Sequence, residues 1–361
     1  MWWNRRGGVG VRRLLMEEWD PIGVAGIPEA ADEYEACPGG RLDDRMEAHY
    51  VRRVIELVAG TTDTFAAARI RKTVWRWMEI EPETIELYRA TRPRFRDWLA
   101  LLDGEPVGAA ACALMPGMEE DAAAFAVNCV LPEARRQGVG TAIYRQVSVH
   151  AHSLGKSELA MFGFEDDLDG VAFAERRGFV VVSRIRGLRL RLDGCPRPTI
   201  DLPEEIAITT LAERPELAHG VWETACEAMP DIPHDGHVPM SAGSFEEFRA
   251  RHLAGPRYIP EATFVAVRDG EVLGYAQLGW MNRAAGLADH AMLAVRRSWR
   301  GRGIAQALKA SQIAWALDNR LSELRTANDE RNASARAVNA NFAYTPLPDQ
   351  LVFRGPLAAG M

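Results

Sequence analysis

Residues 130–143 read VLPEARRQGVGTAI. An apolar run closes at Val130-Leu131-Pro132, a basic loop with two glycines follows, and a helical pattern opens at once. A helix that starts this way leaves several backbone N–H groups without an intrahelical acceptor, so its N-terminus attracts anions. Gly138 and Gly140 remove side-chain atoms that would keep a pyrophosphate from the backbone, and Arg135 and Arg136 add charge. The same run also suits a helix start whose glycines serve close packing and whose arginines serve solubility. It is not a dinucleotide or triphosphate loop. The G-x-G-x-x-G spacing fails at Ile143, and no G-x-x-x-x-G-K-[ST] occurs.

Working outward, the chain is written twice. A close variant, RGRGIA, stands at 300–305, about 165 residues on. In the same register WLALLDGEPVGAAACAL (98–114) matches FVAVRDGEVLGYAQLGW (264–280), each an alternating apolar run, a D-G turn and a second run, which is the signature of a β-hairpin. AERRGFVVV (174–182) then aligns with NANFAYTPL (339–347). After each glycine run a helix is expected, with Ala142, Ile143, Val147 and Ala151 on one face in the first copy and Ile304, Leu308 and Trp315 in the second. Each half reads as strand, helices, hairpin, strand, Gly-rich turn, helix, strand, helix, strand, a mixed α/β unit. Prolines and a D-G in RLDGCPRPTIDLPEE (191–205) separate LRLRL (188–192) from IAIT (206–209), which puts the boundary near Asp201. The expected organisation is an N-terminal extension over 1–45, a first unit over 46–200 and a second over 201–361.

Composition sets limits on function. Of 361 residues 47% are hydrophobic and 26% charged, enough to bury sizeable cores, and the length favours two domains over one. A net charge of −7 argues against a general nucleic-acid binder, which needs a basic face, and suits a cationic small molecule better. Five scattered cysteines without C-x-x-C spacing point to neither a disulfide framework nor a zinc site, and to a reducing cytoplasm. His234 and His237 beside Asp235 lack a third well-spaced ligand, so no metal is expected. No stretch approaches the ~20 apolar residues of a membrane span. Trp75, Trp77, Trp222, Trp280 and Trp315 sit in apolar patterns and read as core.

The two glycine runs, each after a strand-end valine (Val130 and Val295), resemble the [RQ]-x-x-G-x-[GA] signature of the GNAT N-acetyltransferases. GVAFAERRGF and LRTANDERNASARAVNANFAY resemble that family's closing helices. The resemblance covers roughly residues 46–361 as two copies and is similar to the tandem group of the family. It implies two tandem GNAT folds using acetyl-CoA as cosubstrate. The pyrophosphate would lie on Arg135, Arg136, Gln137, Gly138, Val139 and Gly140 in the first copy, and on Arg300, Gly301, Arg302, Gly303, Ile304 and Ala305, with Asn332, in the second.

Acetyl transfer to an amine needs a proton acceptor and stabilisation of the tetrahedral oxyanion. The resemblance implies a base on the fourth strand, at Phe125 in the first copy and at His290, preceded by Asp289, in the second. The tyrosine acid the family often uses falls on Ala174 and Asn339, so neither copy has it. These positions assign the chemistry to the second copy, with His290, Asp289 and Asn339 as catalytic candidates. The segment 222–248 falls where the family places acceptor-binding elements. There Glu223, Glu227, Asp231 and Asp235 form an acidic set that suits a cationic amine, or simply a solvated loop. The expected activity is direct acetyl transfer to a primary amine of a small molecule such as an amino sugar, an aminoglycoside-like compound or a peptide antibiotic. The alternatives are a protein N-acetyltransferase, a transferase of longer acyl groups, or a non-catalytic acyl-CoA binder. Fused copies can pack as GNAT dimers do, so a monomer with internal pseudo-symmetry is expected.

Overall fold

The computed structural model describes residues 11–14, 53–75, 81–92, 94–114, 120–233 and 240–360. The first half runs β1 (Val11–Leu14), β2 (Ile55–Ala59), α1 (Thr64–Val74), α2 (Pro82–Thr91), β3 (Arg96–Leu102), β4 (Glu105–Ala113), β5 (Ala123–Val130), α3 (Val139–Ser153), β6 (Glu158–Phe164), α4 (Leu168–Glu175) and β7 (Val180–Arg191). The second half repeats the order: β8 (Ala207–Thr210), α5 (Ala218–Ala228), α6 (Phe245–His252), β9 (Tyr258–Arg268), β10 (Glu271–Asn282), β11 (Leu287–Val295), α7 (Ile304–Asp318), β12 (Glu323–Asp329), α8 (Ala333–Asn339), β13 (Thr345–Pro346) and β14 (Gln350–Pro356).

Local chemistry explains most of these elements. The two D-G turns put Asp103 and Gly104 at φ 54° and 87°, and Asp269 and Gly270 at 49° and 85°. Two successive positive φ values give the turn twist that closes a two-residue hairpin, so β3–β4 and β9–β10 pair as the sequence predicts. Asp63, Asp167 and Asn332 each cap a helix by accepting a backbone N–H three residues on, and Ser244 with Glu247 forms a capping box for α6. Helix α3 buries Ile143, Val147 and Ala151 against β4 and β5. Helix α7 buries Ile304 and Leu308, with Trp315 half-covered.

What the repeat does not announce is how the halves join. All strands fall on one sheet, ordered β1-β2-β3-β4-β5-β6-β14-β7-β12-β11-β10-β9-β8, with β13 beside β7. The chain's last strand, β14, inserts between β6 and β7 of the first half, antiparallel to both. Reciprocally, the long β7 pairs with β14 over residues 180–185 and runs on along β12 over 185–191. Leu351 and Phe353 therefore belong to the first half's core, and Leu190 to the second's. Ion pairs fix the exchange: Arg354 on β14 is bound by Asp121 and by Glu158, 3.0 Å away, and Arg186 on β7 by Asp349 at 2.6 Å. Helices α1 and α2 cover one face of the first half and α3 and α4 the other; α5 and α7 likewise lie on opposite faces of the second.

Candidate active sites

Strands β5 and β6 are parallel neighbours only over Ala123–Ala126 and Glu158–Met161, then diverge. The splay holds a cavity of about 350 Å³. At one end stand Arg135, Arg136, Gly138, Gly140 and Thr141 with Asp167, Asp169, Arg176 and Arg177; at the other stand Val74, Trp75, Phe125 and Phe162. Gly138 adopts φ 85° as the N-cap of α3 and offers no side-chain cap, which leaves the helix's first amides to a ligand. Arg135 donates to Val130 O and forms ion pairs with Asp167 at 2.8 Å and Asp169 at 3.4 Å. The Gln137 amide donates to Glu133 O, and its oxygen accepts from Arg53. The second glycine has a packing role as well: a Cβ on Gly140 would come within 3.1 Å of the Phe173 ring.

The second splay opens after Asp289, where the β11–β12 pairing ends. Here the strand differs from its counterpart. Gln277 pairs with Met292 but Leu278 with His290, so Ala291 is a β-bulge, exposed and without a β10 partner. Strand β5 pairs with β4 without any such shift from Phe125 to Val130. The bulge reverses the faces: Met292 packs on the α5 side, whereas His290 turns toward α7.

His290 therefore lies on the α7 side of β11, not on the face that Phe125 occupies in the first copy. Its Nδ1 donates to Gln312 Oε1 at 2.7 Å, and its Nε2 accepts from the Tyr344 hydroxyl at 2.5 Å. Burial, with Lys309 nearby, holds the half-buried imidazole well below its ordinary pKa, so it is neutral. Lys309 lies 5.0 Å from the Tyr344 ring, and burial brings its ammonium down to about 7. Asp289 faces the other way and is gripped by Arg257 through two 2.8 Å contacts. Asn339 is buried and donates to Asn328 Oδ1, and Asn332 is occupied as the cap of α8.

The acidic set needs a correction too. Glu223 pairs with Arg296 at 3.0 Å, and the Glu227 carboxylate accepts the Arg297 backbone N–H at 2.5 Å. Asp231 binds Arg297 and Arg300 at 2.7 and 2.8 Å, which brings its carboxyl down to about 2. These groups neutralise the arginines that lead into the second glycine loop, so they buttress that loop rather than present a free acidic surface. Asp235 lies outside the described residues, as do His234 and His237. In the loop Gly301 and Gly303 take φ 75° and 81°, Arg302 stacks 4.7 Å from the Trp299 ring, and Ile304 opens α7 with Ala305 behind it. The inter-half linker passes over it. A cleft of about 500 Å³ is bounded by Pro196, Arg197, Thr199 and Asp201 on one side and Gly303 and Gln306 on the other.

Trp75 packs against the first core as expected and also lines the cavity. Sequence reasoning missed Tyr344, Gln312, Lys309 and Arg257. The aligned copies carried a signal for two of them. Lys309 falls opposite Tyr144 and Tyr344 opposite Phe179, polar substitutions inside a repeated apolar frame. Among the described residues no group of three or more His, Cys, Asp or Glu side chains forms a metal cluster, and no helix is long and apolar enough to cross a membrane.

A family model for the acetyltransferase (GNAT) family matches residues 63–179 and 227–342. A mycothiol acetyltransferase of Thermobifida fusca is 26% identical over 83% of this chain and 93% of its own, and one of Thermomonospora curvata 25% identical over 73% and 83%. Among solved structures, a tandem GNAT protein from the clavulanic acid biosynthesis pathway superposes with a TM-score of 0.68 at 19% identity, covering 85% of this chain and all of that one. A GCN5-related N-acetyltransferase from Sphaerobacter thermophilus gives 0.59 at 20%, over 84% and 97%. At these identities the structures speak for the fold alone.

Proposed function

Because the chain belongs to the acetyltransferase (GNAT) family, its activity is acyl transfer, and we propose that it moves acetyl from acetyl-CoA directly to a primary amine of a small molecule, in its second unit. The two units meet near Asp201 and exchange closing strands. The observation that carries this reading is the bulge at Ala291. It releases backbone groups from the β10 ladder just where pairing with β12 has ended, so amides are free to receive a thioester oxygen and the oxyanion that develops from it. The first splay has no such break, and Phe125 stands on its acceptor side.

In this reading the coenzyme's pyrophosphate lies on the amides from Gly301 to Ala305, with Arg300, Arg302 and Asn332 around it and Val295 at the strand end. Asp289 is the carboxylate on the acceptor face, and Arg257 fixes its orientation. It draws the amine in and takes the proton released when nitrogen attacks the thioester carbon; collapse of the tetrahedral intermediate then expels the CoA thiolate. His290, Tyr344 and Gln312 form a neutral hydrogen-bonded brace between β11, α7 and the segment after α8. Asn339 braces β12 in the same manner through Asn328. The first glycine loop, Arg135 to Gly140, is a second coenzyme site that binds without turnover.

The match to mycothiol acetyltransferases, over 83% of this chain and 93% of one relative, supports a small-molecule amine as acceptor over a protein N-terminus. A reducing cytoplasm and a monomeric state, the exchanged sheet serving as an internal pseudo-dimer, complete the proposal. Calorimetric titration of acetyl-CoA into wild type, Gly138→Glu/Gly140→Glu and Gly303→Glu/Ala305→Glu, combined with turnover on an amine panel, tests it. Turnover lost only in the second variant is expected. Turnover lost only in the first moves the chemistry to the other splay, and no binding to wild type removes the acetyltransferase reading.

A further inference from the structure

The first half's cavity ends at helix α1 in a wall of Val74, Trp75, Phe125 and Phe162, with the Trp75 and Phe162 rings 6.1 Å apart. Trp75 in this wall, and Arg71 buried behind it rather than lining the cavity, each carry a buried hydrogen-bond donor, Nε1–H and Nε–H, without an acceptor among the described residues. Arg71 lies in the last turn of α1 and Trp75, four residues on, is its C-cap. Arg71 is only 2% exposed, and among the described residues its hydrogen bond, from NH2 to Ala110 O at 3.5 Å, is too long to satisfy a guanidinium. Ala110 is the cross-strand partner of Asn128, which lines the cavity, as does the adjacent Cys129. The nearest carboxylate, Asp97, is already clamped by Arg89 through contacts of 2.9 and 2.6 Å.

A buried guanidinium without a counter-ion is costly, and a chain keeps one where something else supplies the charge. Nothing in the second half repeats the feature: α5, the counterpart of α1, has no arginine. A planar fork of N–H donors beside an indole N–H matches a carboxylate, whose two oxygens can each accept.

We propose that the α1 end of the first cavity is a carboxylate-binding subsite formed by Arg71 and Trp75. The carboxylate has two chemical sources. One is the far end of a dicarboxylic acyl thioester whose CoA moiety lies on Arg135–Gly140, which rests on the reading of that loop as a coenzyme site; the other is a free small carboxylic acid, which does not. With Phe125 at the base position the subsite serves binding and not turnover.

The test is calorimetry on the full chain carrying Gly303→Glu/Ala305→Glu, which confines coenzyme to the first loop, using CoA, butyryl-CoA, succinyl-CoA, and succinate with and without CoA. Expected is at least about tenfold tighter binding of succinyl-CoA than of its butyryl counterpart, which has a methyl group in place of the carboxylate, or binding of succinate itself. Arg71→Met and Trp75→Phe should each erase that preference and leave CoA affinity within about twofold. In the ligand-free protein Arg71→Met should raise Tm, because an uncompensated buried charge is replaced by an apolar side chain of similar length. A lowered Tm would mark Arg71 as purely structural and overturn the proposal. So would equal binding of the two thioesters without succinate binding, or a preference that survives Arg71→Met. CoA binding without carboxylate preference leaves the coenzyme reading intact and removes this one, whereas succinate binding without CoA binding does the reverse.

Discussion

Replacing Arg354 with Met tests whether the exchanged strand makes one cooperative unit of the two halves. Arg354 lies on β14, 7% exposed, and contacts Asp121, itself 5% exposed, and Glu158 on the neighbouring strand β6. Removing the guanidinium leaves the Asp121 carboxylate in a site built for a cation, a loss of about 3–5 kcal/mol. At about 2–4 °C per kcal/mol for a large unit, Tm falls by roughly 6–20 °C. The second variant, Asp121→Leu/Arg354→Met, removes both charges and should recover most of the loss, giving a coupling of about 2 kcal/mol or more in a double-mutant cycle. Urea unfolding followed by tryptophan fluorescence reads both halves, since Trp98 lies in the first core and Trp280 and Trp315 pack on the second. A single shifted transition is expected. A loss below about 1 kcal/mol, or two separate transitions of which only one moves, would refute the reasoning.

Asp289→Asn should lower kcat about 100-fold or more while the KM for acetyl-CoA stays within about threefold, because the carboxylate acts on the amine's proton and not on the coenzyme. Unchanged kcat at saturating amine removes it from the proton path. Gly140→Val should cost about 1–3 kcal/mol by driving its side chain into Phe173, and Gly140→Val/Phe173→Val should restore it, as the second half aligns Ala305 with Val338 at these places; a denaturant midpoint unchanged in the single variant counts against the contact. Burial holds His252 down to about 4 and His290 well below the ordinary imidazole value. The unfolded chain therefore takes up protons that the folded one refuses. Stability is fully present above about pH 6.5 and falls as pH drops below it, by up to ~1.4 kcal/mol per pH unit per histidine. Unfolding free energies at pH 8, 6.5 and 5 check this, and His252→Phe/His290→Gln should flatten the profile.

The parts of this molecule legible in its sequence are those whose cause is local. A D-G pair dictates its own φ values, so the two hairpins follow from four residues, and a glycine before an apolar helical face fixes both the left-handed turn and the helix it caps. The closing strands could not be read that way. QLVFRGP has the alternation of a half-buried strand wherever it lies, and its place between β6 and β7 is chosen by Arg354 finding Asp121 more than 200 positions away. The bulge is a harder case. ADHAMLAV carries no glycine or proline to mark Ala291, yet one extra residue there reverses every face before it, sends His290 to α7 and leaves Asp289 on the other face beside Arg257. Counting positions from a strand end names a catalytic residue only if the strand keeps its register, and strands lose register where a site opens. For Glu223, Glu227 and Asp231 the difficulty was the opposite one: their partners were visible. Arg296, Arg297 and Arg300 crowd a glycine loop that already needs an anion, and carboxylates on the adjoining helix would offset that crowding in any fold that brought them near. Charge assigned to an unseen substrate has first to be weighed against charge the chain itself presents.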